Sequence, residues 1–429
     1  MFGCQQNLIS PDSEQKAILE FLCSESAKLS NCGTYFARQL FFKTGRIPSR
    51  EELHKELGTH NQNLHYQAFY SDTAQQILTT VAESFKSYIG LLKGVKVGNL
   101  NQKPRLPGYR KGGLALVTYT GRSVRLKDGL LRFPLGTKVK AWFGIDAFYL
   151  PAPSNLDCSK IREYRILPRN GAFYLELIYK VEVEKPYLDP SKCLGIDHGI
   201  DNWLTCVSNL GASFIVDGLH LKSLNQFYNK QIANIKEGKR QGFWSRKLAT
   251  ITEKRNRQVR DAINKAARLV INHCIENGIG TLVFGWNQGQ KDGASMGKKT
   301  NQKFVQIPTG RLKDRIAQLC EQYGIEFVET EESYTSKASF LDSDTLPTYG
   351  EKPERWKESG RRVQRGLYRS ANKKYLNADC NGAANILRKV AATLGLCLEG
   401  VSSGALTTPY RIRLWNLCRI PVATCQTSA

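Results

Sequence analysis

Cys193-Leu194-Gly195-Ile196-Asp197 is an apolar run that stops on a carboxylate. Its length and apolar continuity read as a buried strand, and the aspartate closes it just before a turn at Gly199. Far along the chain, Asn377-Ala378-Asp379-Cys380-Asn381-Gly382-Ala383-Ala384 opens a helix whose small residues imply close packing, with Asp379 in its first turn. Taken singly, Asp197 reads as a turn cap and Asp379 as a first-turn acid favoured by the helix dipole. Taken together, two acids aimed at a crowded backbone read as a divalent-metal site. Mg2+ prefers hard oxygen donors, which leaves His and Cys unnecessary there.

The elements around these acids have a legible order. Strand 193–197 is followed by strands at 203–208 and 213–217 with tight turns between. A long helical region ends in the apolar stripe Val259, Ile263, Ala266, Val270 and Cys274, whose other face carries Lys254, Arg255, Arg257, Lys265 and Arg268. A strand at 281–284, a helix at 309–323, a strand at 325–328 and a helix at 378–390 complete the set. Three antiparallel strands, then alternating helices and strands, is the element order of the ribonuclease-H fold. In that order the fourth strand lies beside the first, and the fifth lies beyond it.

A third acid is expected on the fourth strand, but Thr281-Leu282-Val283-Phe284-Gly285-Trp286-Asn287 offers glycine instead. Either the site is dead or the acid comes from elsewhere. Glu329-Thr330-Glu331-Glu332 ends the fifth strand, displaced laterally by about 4.8 Å, a gap a glutamate can span. Alternation puts Glu329 and Glu331 on one face and Glu332 on the other. Glu332 is the first choice and Glu331 the second; a solvated acidic strand end is the alternative.

The chain has 429 residues, enough for two or three domains. Its 62 basic against 38 acidic residues give a net charge of +24, which points to a polyanionic partner. No segment resembles a signal peptide and no run approaches the ~20 residues that span a bilayer, so no membrane is expected. Its 12 cysteines form no C-x-x-C pair and fit a reduced cytosol.

To about Gly94 the chain reads as helical, with a cap at Ser10-Pro11, a capping box at Ser49-x-x-Glu52 and the stripe Ile77, Val81, Phe85, Ile89 and Leu92. From Val95 to Glu184 it reads as a small antiparallel barrel, with hairpin turns at Asp128-Gly129 and Asn170-Gly171. A basic loop holding Lys103, Arg105, Tyr109, Arg110 and Lys111 precedes the first hairpin. Tyr109, Tyr119 and Trp142 are candidates to stack on bases, at ~1–3 kcal/mol each, although Trp142 reads more naturally as core.

Gly195-Ile196-Asp197-His198-Gly199-Ile200, the Tyr334-Thr335-Ser336 step and Asn377-Ala378-Asp379-Cys380-Asn381-Gly382-Ala383-Ala384-Asn385-Ile386 resemble the RuvC motifs of the TnpB family. These are transposon-encoded, RNA-guided DNA endonucleases, ancestral to type V CRISPR effectors. The resemblance implies an α/β multidomain chain: an RNase H-like RuvC nuclease domain with a mixed five-stranded sheet, preceded by an antiparallel wedge-type β-barrel with an inserted helical recognition lobe. The implied divisions are 1–8 for the start of the wedge barrel, 9–94 for the helical lobe and 95–190 for the barrel. Residues 191–335 form the first part of the nuclease domain, 336–375 a basic insertion, 376–395 its last helix and 396–429 a C-terminal tail, flexible or contacting RNA.

The resemblance makes Asp197 and Asp379 the first and third catalytic acids, and sets Gly285 where the second usually lies. The run Gly285–Lys291 and the acids before Tyr334 resemble a branch with a relocated second acid. Asp197, Glu332 and Asp379 would then hold Mg2+, or Mn2+ in its place. The family's zinc-binding cysteines are missing from the insertion, so no zinc is expected. The implied partners are an omega-type guide RNA and target double-stranded DNA, in a monomer or homodimer, cytoplasmic and nucleoid-associated in a prokaryote. Candidate backbone contacts are Lys103, Arg105, Arg110 and Lys111; Lys254, Arg257 and Arg268; and Arg361, Arg362, Arg365 and Arg369, with Tyr109 as a stacking residue. A nuclease-inactive guided binder and a guide-independent resolvase are the alternatives.

Overall fold

Two dipeptides anticipated as hairpin turns do that work. Asp128 and Gly129 adopt φ of 49° and 76°, and Asn170 and Gly171 adopt 50° and 76°. Two successive left-handed residues match the twist of the strands they join. The computed structural model describes residues 2–58, 63–100, 102–182, 185–287 and 307–415 and divides into two units, Met1–Glu182 and Val183–Ala429. The stretch of the Gly285–Lys291 run beyond Asn287, the tail beyond Trp415 and the barrel segment's last residues, 183–184, lie outside the described residues.

In the first unit, β1 (Phe2–Ile9) leads into helices α1 (Ser13–Thr44), α2 (Arg50–Leu57), α3 (Leu64–Gln67) and α4 (Ser71–Lys96). The capping box of Ser49 and Glu52 is present at the start of α2. The cap of α1 is corrected: Asp12 rather than Ser10 serves, its carboxylate accepting from Gln15 N at 2.7 Å. A charged acceptor at that end also meets the helix dipole. Ile77, Val81 and Phe85 of α4 are buried, whereas Ile89 and Leu92 are half-buried as the helix leaves the core.

Strands β2 (Val117–Thr120), β3 (Arg125–Lys127), β4 (Leu130–Pro134), β5 (Ala147–Pro151), β6 (Ile161–Arg169) and β7 (Ala172–Lys180) follow, with α5 (Thr137–Phe143) between β4 and β5. They form two antiparallel sheets, ordered β1-β7-β6-β2 and β3-β4-β5. Tyr119 and Phe133 from different sheets meet edge to face at 5.2 Å, and Phe133 stacks on Phe148 at 5.0 Å. Two aromatic expectations are corrected here. Tyr119 is 1% exposed and belongs to this core, out of reach of a base, while Trp142 is 47% exposed on α5.

The second unit is built on a mixed sheet ordered β12-β11-β8-β9-β10-β16. Its strands are β8 (Asp189–His198), β9 (Asn202–Ser208), β10 (Ser213–Asp217), β11 (Ile279–Gly285), β12 (Glu326–Thr330) and β16 (Tyr410–Ile412). Here the expected five strands become six. Tyr410–Ile412, placed by the sequence reading in a tail, pairs in parallel with β10, and Arg411 holds Asp217 at 3.1 Å.

Helices α6 (Leu219–Lys236), α7 (Arg246–Glu276), α8 (Thr309–Tyr323), α9 (Ala378–Leu394) and α10 (Ser403–Thr407) complete the unit. Alternation along the strands divides the core. Leu194, Ile196 and Phe284 pack with α7 and α8 on one face; Cys193 and Val283 pack with Ile386 and Leu387 of α9 on the other. Leu387, fully buried there, contributes about 1.5–3 kcal/mol through its burial. The insertion anticipated as a basic loop carries a small antiparallel sheet of β13 (Arg361–Gln364), β14 (Leu367–Arg369) and β15 (Tyr375–Asn377).

Candidate divalent-metal site

Strands β8, β11 and β12 run parallel and end on one side of the sheet, where Asp197 and His198 of β8 meet Glu332, two residues beyond β12. Asp197 stands one residue before the end of β8. Helix α9 crosses so near that a Cβ on Gly382 would lie 2.9 Å from Asp197 Oδ2. Glycine is therefore needed at 382 for the carboxylate to fit.

On β11, Phe284 stands opposite Ile196, so Gly285 comes next, on the face that Asp197 shares. A Cβ on Gly285 would lie 2.9 Å from Glu332 Cγ and 3.0 Å from Glu332 Oε1. Together with Ile386, whose Cδ1 would be 2.4 Å away, the Glu332 side chain fills the room that any side chain at 285 would need. Its backbone is seated by the same run: Asn287 Oδ1 accepts from Glu332 N at 3.0 Å, and Trp286 N donates to Thr330 O at 2.8 Å.

Asp197, His198 and Glu332 each offer a ligand atom, and these atoms lie within 4.8 Å of one another. Glu332 Oε1 is 3.3 Å from His198 Nδ1. Burial, reinforced by the carboxylates of Glu332 and Asp379, pushes the Asp197 carboxyl well above the usual carboxylate range. Such a crowd of acids suits a cation that replaces the held proton. His198 is the residue that sequence reasoning missed. It lay inside the quoted motif, but hard-oxygen chemistry gave it no role.

Asp379 falls outside that three-residue cluster. Asn377 Oδ1 caps α9, accepting from Asp379 N at 3.0 Å and Cys380 N at 3.1 Å. Asp379 Oδ2 accepts from Asn202 Nδ2 at 2.6 Å, and Asn202 Oδ1 accepts from Arg411 at 2.7 Å. Arg362 approaches the other Asp379 oxygen at 3.6 Å. A cleft of about 240 Å3 joins Asp379 to Asp197 and His198, with Arg362 and Arg365 on its wall. The remaining strand-end acids turn elsewhere: Glu331 pairs with Lys389 and Glu329 with Lys313. Glu331, the second choice, is thus taken up by a lysine of α9.

The raised value of Asp197 has a consequence for stability. The folded protein binds this proton more tightly than the unfolded chain does, so the contribution is full below the ordinary aspartate range. It is lost as pH rises through the raised value. Asp197→Asn should therefore raise the Tm of the metal-free protein at neutral pH and make little difference in acid. Thermal melts of both proteins across pH check this.

The predicted basic residues divide. Arg362 and Arg365 reach the cleft, Arg365 pairing with Asp201, while Arg361 is exposed on β13 and Arg369 half-buried on β14. Lys254 is exposed on α7, and Arg257 is half-buried. Arg268 donates to the Tyr323 hydroxyl at 2.8 Å and lines a separate cleft of about 850 Å3 with Lys265 and Arg315. In the first unit Lys103, Arg105, Tyr109, Arg110 and Lys111 are all exposed. Their loop is tied down where Arg110 N donates to Asn31 at 2.8 Å and Arg38 lies over the Tyr109 ring.

Two aspartates fasten the basic insertion. Asp342 Oδ2 accepts from Ser339 Oγ at 2.6 Å and Ala371 N at 2.8 Å; Asp344 Oδ2 accepts from Ser339 N at 2.7 Å and Ser359 N at 3.0 Å. Asp342→Ala strips Ser339 Oγ and Ala371 N of their acceptor and should cost about 1–3 kcal/mol. Limited proteolysis is expected to open residues 340–372 first in the variant, and a chelator should leave the parent pattern unchanged.

Residues 176–289 match the family model OrfB_IS605, described as a probable transposase. This match bears out the likeness to the TnpB family read from the motifs, and some solved structures resemble the chain in fold alone. Among those structures is a Cas12f1–sgRNA–target DNA complex, 18% identical, aligned over 87% of this chain and 83% of that one with a TM-score of 0.57. Another is the mini-RNA-guided endonuclease CRISPR-Cas_phi3, 10% identical over 95% of this chain and 94% of that one, with a TM-score of 0.43. No curated protein matches the chain. No helix among the described residues is long and apolar enough to cross a membrane.

Proposed function

We propose that this TnpB-like chain is an RNA-guided DNA endonuclease whose second catalytic acid has moved from β11 to the end of β12. The observation that carries the reading is the Glu332 side chain lying in the space left open by Gly285, beside Asp197. A dead site would have no reason to keep a glutamate seated there by Asn287 and His198. In this reading the second unit is the RuvC-type nuclease domain and the first is the wedge barrel with its helical lobe.

Asp197 and Glu332 would hold the divalent ions, and Asp379, steadied by Asn202, would complete the set across the cleft. Ions bound there supply Lewis acidity to the scissile phosphodiester. Arg362 and Arg365 offer guanidiniums to the backbone of the strand entering the cleft, exchanging their pairings with Asp379 and Asp201 for phosphate. The exposed loop of Lys103, Arg105, Arg110 and Lys111 grips nucleic-acid backbone without reading sequence, with Tyr109 stacking on a base. The name of the Cas12f1 complex, which holds a guide RNA and target DNA, agrees with those partners.

The test is to purify the chain with its bound RNA, sequence that RNA, and supply a plasmid carrying the matching target with Mg2+. A double-strand break at the guided site is expected. Tight guided binding without a break makes it a binder, and cutting of branched DNA by RNA-free protein makes it a resolvase.

A further inference from the structure

We propose that His198 is a nitrogen ligand of the divalent-ion site, so that the chain holds Mn2+ in preference to Mg2+. This rests on the nuclease reading only in taking the Asp197–Glu332 pair as an ion site.

Strand alternation turns His198 away from the face Asp197 shares. At the strand's last residue, however, the ring reaches the rim, and its donor atom stands within 4.8 Å of both carboxylates. The His198 and Glu332 side chains are 7% and 11% exposed, so neither is a surface group that strays into range. The ring is also held. Phe284 meets it edge to face at 5.9 Å, and Trp286 meets it at 5.5 Å. Trp286 is fixed in turn by its backbone bond to Thr330 and by Lys313, 5.1 Å above its ring. Side chains locked in this way are what a metal centre requires of its ligands.

The chemistry of the donor set then decides the ion. Two carboxylates alone suit Mg2+, which takes oxygen and keeps its waters. Imidazole is a borderline donor that the later divalent ions take readily and Mg2+ reluctantly; Mn2+, otherwise oxygen-seeking like Mg2+, opens the first-row series and accepts a nitrogen more easily than Mg2+ does. The displacement of the acid from 285 to 332 brings Glu332 Oε1 to 3.3 Å from His198 Nδ1. The acid at 332 and the ring nitrogen therefore belong to one site.

The test uses full-length, RNA-free protein with one equivalent of Mn2+, followed by electron spin-echo spectroscopy after 15N-histidine labelling. A 15N coupling is expected in the parent and its loss in His198→Gln. Titration calorimetry should show the ratio of Mn2+ to Mg2+ affinity falling by about tenfold in His198→Gln, in the range that loss of a group shaping a metal site produces. Thermal melts confirm that the variant is folded. Bound Mn2+ with no histidine coupling and an unchanged affinity ratio would overturn the proposal and leave His198 as a partner of Glu332 only. Asp197→Ala separates the two readings: if Mn2+ binds equally well without Asp197, the ion site itself is misplaced.

Discussion

Asp197→Ala should abolish divalent-ion-dependent cleavage of a guided plasmid, a loss of at least about a thousandfold, because groups that act as one catalytic unit fail together. Guided DNA binding should persist, since Asp197 lines the cleft and the exposed basic residues that would grip the backbone are left intact. Gel shifts with the matched target, set beside plasmid cleavage, separate the two. If the variant instead fails to retain RNA, Asp197 is a structural residue and the site assignment is wrong.

The second large effect concerns the traded position. Glu332→Gln keeps the shape of the side chain and removes the charge, and is expected to be as inactive as Asp197→Ala. Gly285→Glu should also be inactive, for a different reason. The added side chain drives into Glu332 Cγ at 2.9 Å and into Ile386 Cδ1 at 2.4 Å. Overpacking of this kind costs about 1–3 kcal/mol, so this variant alone should melt earlier. The double variant Gly285→Glu, Glu332→Ala removes the collision with Glu332, leaves only the movable end of Ile386 in the way, and returns a carboxylate to β11. It should cleave measurably better than Glu332→Ala alone. A double variant no better than that single one would mean that Glu332 never stood in for an acid at 285.

What could be read beforehand followed from burial and spacing. The apolar strand ending on Asp197 and the small-residue start of α9 are both direct packing requirements, and Gly382 meets Asp197 because nothing larger fits. The sequence ranked Glu332 ahead of Glu331, and in the structure Lys389 of α9 holds Glu331.

The misses have physical causes too. Tyr119 and Trp142 are both amphipathic rings in a β-rich segment, and only the sheet packing tells which is inside. Tyr410–Ile412 is too short to show any period, and it forms a strand because β10 offers an open edge. His198 went unassigned because its neighbours in space, Glu332 and Trp286, come more than eighty residues later.

The strand Tyr410–Ile412 has one more consequence, for biosynthesis. Arg411 steadies Asn202, and Asn202 steadies Asp379. A nascent chain that has released everything up to α9 therefore already has Asn202 and Arg362 beside Asp379, but lacks the arginine that steadies Asn202. The cleft gains its last support only when the segment around Arg411 emerges from the ribosome.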